Sequence, residues 1–346
     1  MFSIVIPLWN KRHLVESTVA SVLAQTWRDF ELVIVDDGST DGGMAALDRF
    51  DDLRIRRIAQ PNAGPGAARN AGIEAARHQW IAFLDADDLW LPGHLDELDR
   101  VRARFPGAGL IGSSCLRTDR EGGYRLPGPE SGRIEAVDYF ERAELGAALF
   151  SASSAAIPKS SYAALGGFGG ALMGQDVEYW ARIALARPIA VSSRVTAIYR
   201  LGTGGIGDTV RSFCLGRELR QAGDIAPCVA LLAETYPQIR CPRQRRAVDR
   251  FIDGQFQLCI RNSARIGDYR TLRALPRLYP RPSRLADRLI LAIARLPPPA
   301  ANAAYRPGFA FKALVRVLRR GLGRLAAPFR ALGSAAADAR LRRAAE

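Results

Sequence analysis

Four short stretches of this chain combine residue types and spacings that could do chemistry. The most specific is FLDADDLW at 83–90, where Asp85 and Asp87 follow a buried-looking apolar run with one residue between them. Two carboxylates so placed repel each other unless a cation lies nearby. Mg²⁺ and Mn²⁺ take oxygen ligands and keep positions open for phosphate oxygens, so the arrangement suits a metal-bound diphosphate. The alternative is an exposed acidic turn before a helix that starts at Pro92, and Asp88 reads as the structural member of the trio. A second acidic pair, Asp36 and Asp37 of VDDGSTDG, ends the β-rich run FELVIV. A carboxylate there can accept a hydrogen bond from a nucleobase N–H or a ribose hydroxyl, or it can simply organise a strand-end turn. The third stretch, AGPGAARNAG at 63–72, is a poor dinucleotide-binding loop because Arg69 stands where a third glycine belongs. One turn inside a helix, Arg69 could help hold an anion. Alternatively, the stretch is a broken loop before an Ala-rich packing helix. The fourth, GQDVEYWAR at 174–182, puts Asp176 at a loop-to-helix junction with Glu178 nearby and Trp180 available as an apolar wall. That carboxylate could take a proton from an attacking hydroxyl or serve only as a helix cap.

These residues need elements to hold them. Phe2–Pro7, Phe30–Val35, Leu53–Ile58 and Trp80–Leu84 read as strands. Between them, 11–25, 43–50 (capped by Thr40 or Asp41) and the segment after Gly64 read as helices. Further on, Leu145–Pro158 reads as a strand or buried segment, 177–186 as a helix and 188–199 as a strand. The alternation predicts an α/β fold, a mostly parallel sheet flanked by helices. Ligands on such sheets bind beyond the carboxyl ends of the strands, where the acidic stretches fall.

In their order and spacing the four stretches resemble family 2 of the inverting glycosyltransferases, together with the opening IVIPLWNK, in which Trp9 stands where tyrosine is usual. The resemblance covers residues 1 to about 200 and implies the GT-A fold, a Rossmann-like sheet that binds a nucleotide-diphosphate sugar. It places donor contacts at Pro7, Asp36, Asp37, Arg69 and Asp85, the metal ligand at Asp87 and the catalytic base at Asp176. Gln175 replaces the glutamate that usually precedes that base. The implied cofactor is a divalent cation, Mn²⁺ or Mg²⁺. The implied partners are a nucleotide-sugar donor carrying UDP and a glycan or lipid-linked glycan acceptor of cell-surface polysaccharide or glycolipid synthesis. Many relatives add a histidine after the last strand, near Tyr199-Arg200. Here the only histidines are His13, His78 and His94, all upstream and read as surface residues. Two rivals stand beside this reading: a nucleotidyltransferase, which would release pyrophosphate, and a non-catalytic relative that binds a membrane or a partner.

Charge divides the chain. Of 49 Lys+Arg and 35 Asp+Glu, residues 200–346 hold 28 basic and 10 acidic, a net of +18, which leaves the first 199 residues at −4. Expected domains are therefore a catalytic part at 1–205 and a basic helical C-terminal region at 206–346. Within the latter, 309–326 reads as an amphipathic helix with arginines on its polar face. That helix either docks its apolar face on the catalytic domain or lies on an anionic membrane surface. No nucleic-acid module is visible, and no apolar run is long enough to span a bilayer. The opening reads as a strand and not a signal peptide, and the five scattered cysteines suit a reducing compartment. The expected location is cytoplasmic, peripheral at the inner face of the plasma membrane.

Overall fold

The computed structural model of the chain describes residues 1–118, 132–144, 150–171, 173–204, 226–266 and 268–278, with a few isolated positions besides. Contacts divide the chain into two compact units, Met1–Cys259 and Ile260–Glu346. The amphipathic stretch at 309–326 lies outside the described residues.

The first unit is built on one sheet. Strands β1 (Phe2–Leu8), β2 (Phe30–Asp36), β3 (Ile55–Ala59) and β4 (Trp80–Phe83) are parallel and adjacent in the order β3-β2-β1-β4. β1 and β2 are buried on both faces and mainly apolar, as strands covered on both sides tend to be. The sheet continues through β8 (Ala155–Pro158), antiparallel to both its neighbours, to β6 (Leu110–Arg117) and β9 (Ile189–Tyr199), which are parallel to each other. The other edge of β9 is shared. β7 (Ile134–Val137) covers its first half and β5 (Leu89–Trp90) its second.

Helices α1 (Arg12–Leu23) and α3 (His94–Arg104) cover one face of the sheet. There Phe2, Ile4, Ile6 and Leu8 of β1 join Val15, Val19 and Val22 of α1 and Leu95, Leu98 and Val101 of α3 in one buried cluster. Each such side chain contributes roughly 1.5–3 kcal/mol on burial. Helix α2 (Pro65–Ala75) covers the opposite face, and its Ala68 packs with Val33 and Val35. α2 lies unusually close to the sheet, since a Cβ on Gly72 would stand 2.3 Å from Val5 Cγ1. Only glycine permits that approach. Helices α4 (Tyr139–Glu144), α5 (Lys159–Leu165) and α6 (Gln175–Ala186) follow, and α7 (Pro227–Thr235) packs on α6. The long α8 (Pro242–Ile266) meets α4 through Phe251, whose ring lies 5.5 Å from that of Phe140. In the second unit the main described element is α9 (Tyr269–Leu278).

The α/β class and mostly parallel sheet agree with the expectation, and four details depart from it. Residues 45–49 form a short 3₁₀ turn instead of a helix over 43–50. Asp41 does not cap that turn with its side chain. Its two oxygens accept the N–H of Gly43 (2.9 Å) and of Arg12, the first residue of α1 (2.8 Å). The helix expected at Pro92 starts at His94, after Gly93. Cys259 is disulfide-bonded, where scattered reduced thiols were expected.

Candidate active site

The carboxyl ends of β1, β2 and β4 lie side by side, so Leu8 pairs with Asp36 and Pro7 with Val35. Pro7 is half-buried in that ladder, while Trp9, directly after it, is 48 % exposed. The loops beyond are fastened together. Asp37 donates its N–H to the Leu8 carbonyl (2.8 Å), and Asn10 Oδ1 accepts the N–H of Thr40 (2.8 Å).

Asp36 and Asp37 behave differently. Asp36 is half-buried, and its Oδ1 accepts the N–H of Ser39 (2.9 Å), an Asx-type turn. Asp37 is buried, and its carboxylate accepts Gln60 Nε2 (2.7 Å) and the N–H groups of Ala63 and Gly64 (both 2.9 Å). It thus fixes the loop that enters α2. Gly38, with φ of +74°, makes the close passage possible, since a Cβ there would lie 2.9 Å from the Asn62 nitrogen.

α2 carries that order across to β4. Arg69 is buried on its fifth position and places NH2 2.5 Å from Asp85 Oδ1, with its guanidinium 5.4 Å from the centre of the Phe168 ring. Burial works against the charge on Arg69, but the carboxylates of Asp85, Asp176 and Asp87 outweigh it and raise its pKa. Asp85 is likewise pushed above the usual carboxylate range, by burial and by Asp87 and Asp176, against the pull of Arg69. Arg69 is therefore paired with Asp85 and also feels the charges of Asp87 and Asp176. Asp36 and Asp37 share no hydrogen bond or ion pair with that group among the described residues.

Asp87 points to a different cation. Its Oδ2 lies 2.9 Å from Lys11 Nζ and accepts the Thr203 hydroxyl at 2.7 Å, while Lys11 Nζ also donates to the Thr203 carbonyl at 2.8 Å. Sequence reasoning assigned Lys11 no role, and no spacing rule relates positions 11, 87 and 203. Arg200 stands where the resemblance led one to look for a histidine. Its Nε donates to the Asp87 carbonyl, and its backbone N–H donates to Asp88 Oδ1 (2.9 Å). Asp88 itself is buried and turned inward. The Ser153 hydroxyl donates to its Oδ2 at 2.5 Å and accepts the Asp85 N–H at 3.1 Å. Burial and the neighbouring Asp85 and Asp87 carboxylates push Asp88 well above the ordinary range.

Asp176 lies in the first turn of α6, where its Oδ1 accepts the N–H of Val177 (2.9 Å). Glu178 is committed to Arg182 by two hydrogen bonds, at 3.0 and 2.7 Å. Trp180 is not a wall for substrate. It is buried against Phe83, Phe150 and Phe168, with ring centres 5.6–6.1 Å away, so it supports the site from within the core. His94, expected at the surface, is fully buried. Its ring stacks 4.1 Å from Trp90, and Nδ1 lies 2.7 Å from Thr196 Oγ1.

Among the described residues no three His, Cys, Asp or Glu side chains form a ready-made metal cage. The donor set nevertheless fits a cation held jointly with phosphate. Asp85 Oδ2 and Asp87 Oδ1 accept no hydrogen bond among the described residues, which leaves two carboxylate oxygens of the type that Mg²⁺ or Mn²⁺ takes.

Residues 3–130 match the model of glycosyl transferase family 2. Among similar proteins, the succinoglycan biosynthesis protein ExoW of Rhizobium meliloti is 39% identical over 109 residues, which cover 30% of this chain and 34% of that protein. The putative teichuronic acid biosynthesis glycosyltransferase TuaG of Bacillus subtilis is 36% identical over 123 residues, 34% of this chain and 49% of that one. WfgD of Escherichia coli, a UDP-Glc:alpha-D-GlcNAc-diphosphoundecaprenol beta-1,3-glucosyltransferase, is 36% identical over 97 residues, 28% and 38% of the two chains. The match thus spans less than half the length of each. The crystal structure of S. aureus TarS superposes with a TM-score of 0.60 at 15% identity, over 88% of this chain and 53% of TarS. TarS 1–349 in complex with UDP-GlcNAc gives 0.53 at 15% identity, over 89% and 92%. Residues 3–130 are therefore similar to glycosyltransferase family 2, and the sheet that holds them shares the fold of TarS.

Proposed function

We propose that the chain transfers a sugar from a nucleoside-diphosphate donor, a UDP-sugar, to the hydroxyl of a glycan or lipid-linked glycan, with inversion at the anomeric carbon. The observation that carries this reading is that Arg69, paired with Asp85, lies within electrostatic reach both of Asp87 and of Asp176 at the start of α6. A base and a diphosphate site within one electrostatic group are what a single displacement requires. The UDP-GlcNAc held by TarS and the UDP-Glc named for WfgD support the choice of donor. The polysaccharide roles named for TuaG and ExoW support the choice of product.

In this mechanism Asp176 takes the proton of the acceptor hydroxyl as that oxygen attacks. Arg69 keeps Asp85 oriented towards the donor. Asp36 and the loop fixed by Asp37 border the nucleoside end, where the exposed Trp9 offers a face on which a base can stack. Asp87 and Asp85 would hold a divalent cation, whose chemistry is to neutralise the charge that develops on the departing diphosphate.

The test is release of nucleoside diphosphate from UDP-, GDP- and dTDP-sugars with Mn²⁺, Mg²⁺ or EDTA and a mixed glycan acceptor. Cation-dependent release from a UDP-sugar is expected. It should fall by about 10²–10⁴-fold in Asp176→Asn and be lost in Asp87→Ala. Pyrophosphate among the products would reassign the enzyme to nucleotidyl transfer. Binding of UDP without turnover on any acceptor would make it a non-catalytic relative, and a retained anomeric configuration by NMR would remove the inverting step.

A further inference from the structure

We propose that Lys11 is a built-in counter-cation for Asp87 that keeps divalent cations out of the donor-free site and passes to the diphosphate when the nucleotide binds. The inference rests on the glycosyl-transfer reading above and adds to it an order of binding. In the structure Asp87 is already neutralised by the chain itself. Lys11 Nζ lies 2.9 Å from its Oδ2, and the Thr203 hydroxyl occupies the same oxygen at 2.7 Å. The contact is sheltered, with the two side chains only 12% and 17% exposed, so solvent screens it weakly.

Lys11 is held in reach from two sides. It directly precedes α1, after a turn in which Asn10 takes φ of +50° and is tied to the 39–40 loop through Ser39 Oγ and Thr40 N–H. From the other side, the Thr203 carbonyl accepts a hydrogen bond from Nζ at 2.8 Å. Thr203 sits between Gly202 and Gly204, both at positive φ (+77° and +69°), a backbone course that glycine allows at low cost. The Asp87 backbone is held independently, by Arg200 on its carbonyl. The carboxylate can therefore exchange one cation for another without moving its own loop.

A divalent cation on Asp87 would sit against the Lys11 ammonium and be repelled by it. An arriving diphosphate changes that balance, because a lysine ammonium is a mobile point charge with three donors and binds phosphate oxygens well. Once Nζ turns to the phosphates, Asp87 keeps only the Thr203 hydroxyl and is open to a cation. The chain should therefore bind its cation poorly alone and well with nucleotide.

The experiment is titration of the full chain with Mn²⁺, followed by the EPR signal of free Mn²⁺, with and without UDP. Wild type should bind Mn²⁺ at least about tenfold more tightly with UDP present. Lys11→Met should raise Mn²⁺ affinity in the absence of UDP by about the same factor, and should weaken UDP binding measured by calorimetry in EDTA. Thr203→Val, which leaves the Lys11 charge and its carbonyl acceptor in place but removes the hydroxyl from Asp87 Oδ2, should shift Mn²⁺ affinity in the same direction by less. It also serves as the second variant if Lys11→Met fails to fold. An unchanged or lower Mn²⁺ affinity in both variants, with UDP-dependent binding intact in wild type, overturns the counter-cation while leaving the glycosyltransferase reading untouched. Absence of UDP binding and of donor turnover in wild type would instead strike the functional reading beneath it.

Discussion

Arg69 and Lys11 divide the work of one acidic group, and each does so from a place where a different signal could have revealed it. Arg69 was legible because it sits in a recognisable stretch, although burial against Asp85 makes it an organiser of a carboxylate more than a direct anion receptor. Lys11 was not legible. Its partners lie 76 and 192 residues away, and only the folded sheet brings them together. His94 shows the opposite error. A lone histidine among charged residues looked like surface, yet it is sealed between Trp90 and Thr196 and its pKa is pulled from 6.5 down to about 3 by burial. Because its folded pKa is the depressed one, the unfolded chain takes up the proton first as pH falls. The stability tied to neutral His94 is thus complete above pH 6.5 and lost progressively between there and about 3. Thermal melts across that window should show a steeper fall for wild type than for His94→Gln, and parallel curves would mean the ring is solvated.

At the scale of elements, the four parallel strands and helices α1 and α2 followed from apolar runs and turn residues, because each parallel strand is short, continuous and flanked by its own breaker. What periodicity could not show is how near the elements approach. Gly72 reads as one more small residue in an Ala-rich helix, yet it sets the distance between α2 and β1. Gly72→Ala must lift the helix that carries Arg69, since the added methyl collides with Val5. Such overpacking costs about 1–3 kcal/mol. The expected result is a lower Tm together with weaker nucleotide binding, and a variant with wild-type Tm would show that the helix has slack. Trp180 was misjudged for a related reason. An aromatic residue one turn after a candidate base looks available, whereas the four neighbouring rings of Phe83, Phe150, Phe168 and Tyr179 draw it inward.

Across the whole molecule, the contrast between a net of −4 before position 200 and +18 after it is independent of any site. Among the described residues no helix is long and apolar enough to cross a membrane. We propose an electrostatic association with anionic lipid, which this charge suits and which would bring the site to a lipid-linked acceptor. The full chain should co-sediment with vesicles rich in phosphatidylglycerol and be released as salt rises towards about 1 M, where the screening length falls to roughly 3 Å. Equal sedimentation with neutral vesicles would remove the electrostatic account.

The position of β9 bears on how such a molecule can vary. That strand is paired along both edges, by β6 on one side and by β7 and then β5 on the other, and its last residue hands directly to Arg200. Arg200 in turn pins the backbone of Asp87 and the side chain of Asp88. Asp87 and Asp88 are thereby anchored before the chain leaves the sheet. Substitutions elsewhere can therefore be absorbed while these two carboxylates stay where they are. Under the glycosyl-transfer reading proposed above, one scaffold of this kind would be able to change its acceptor across lineages and keep these two carboxylates in place.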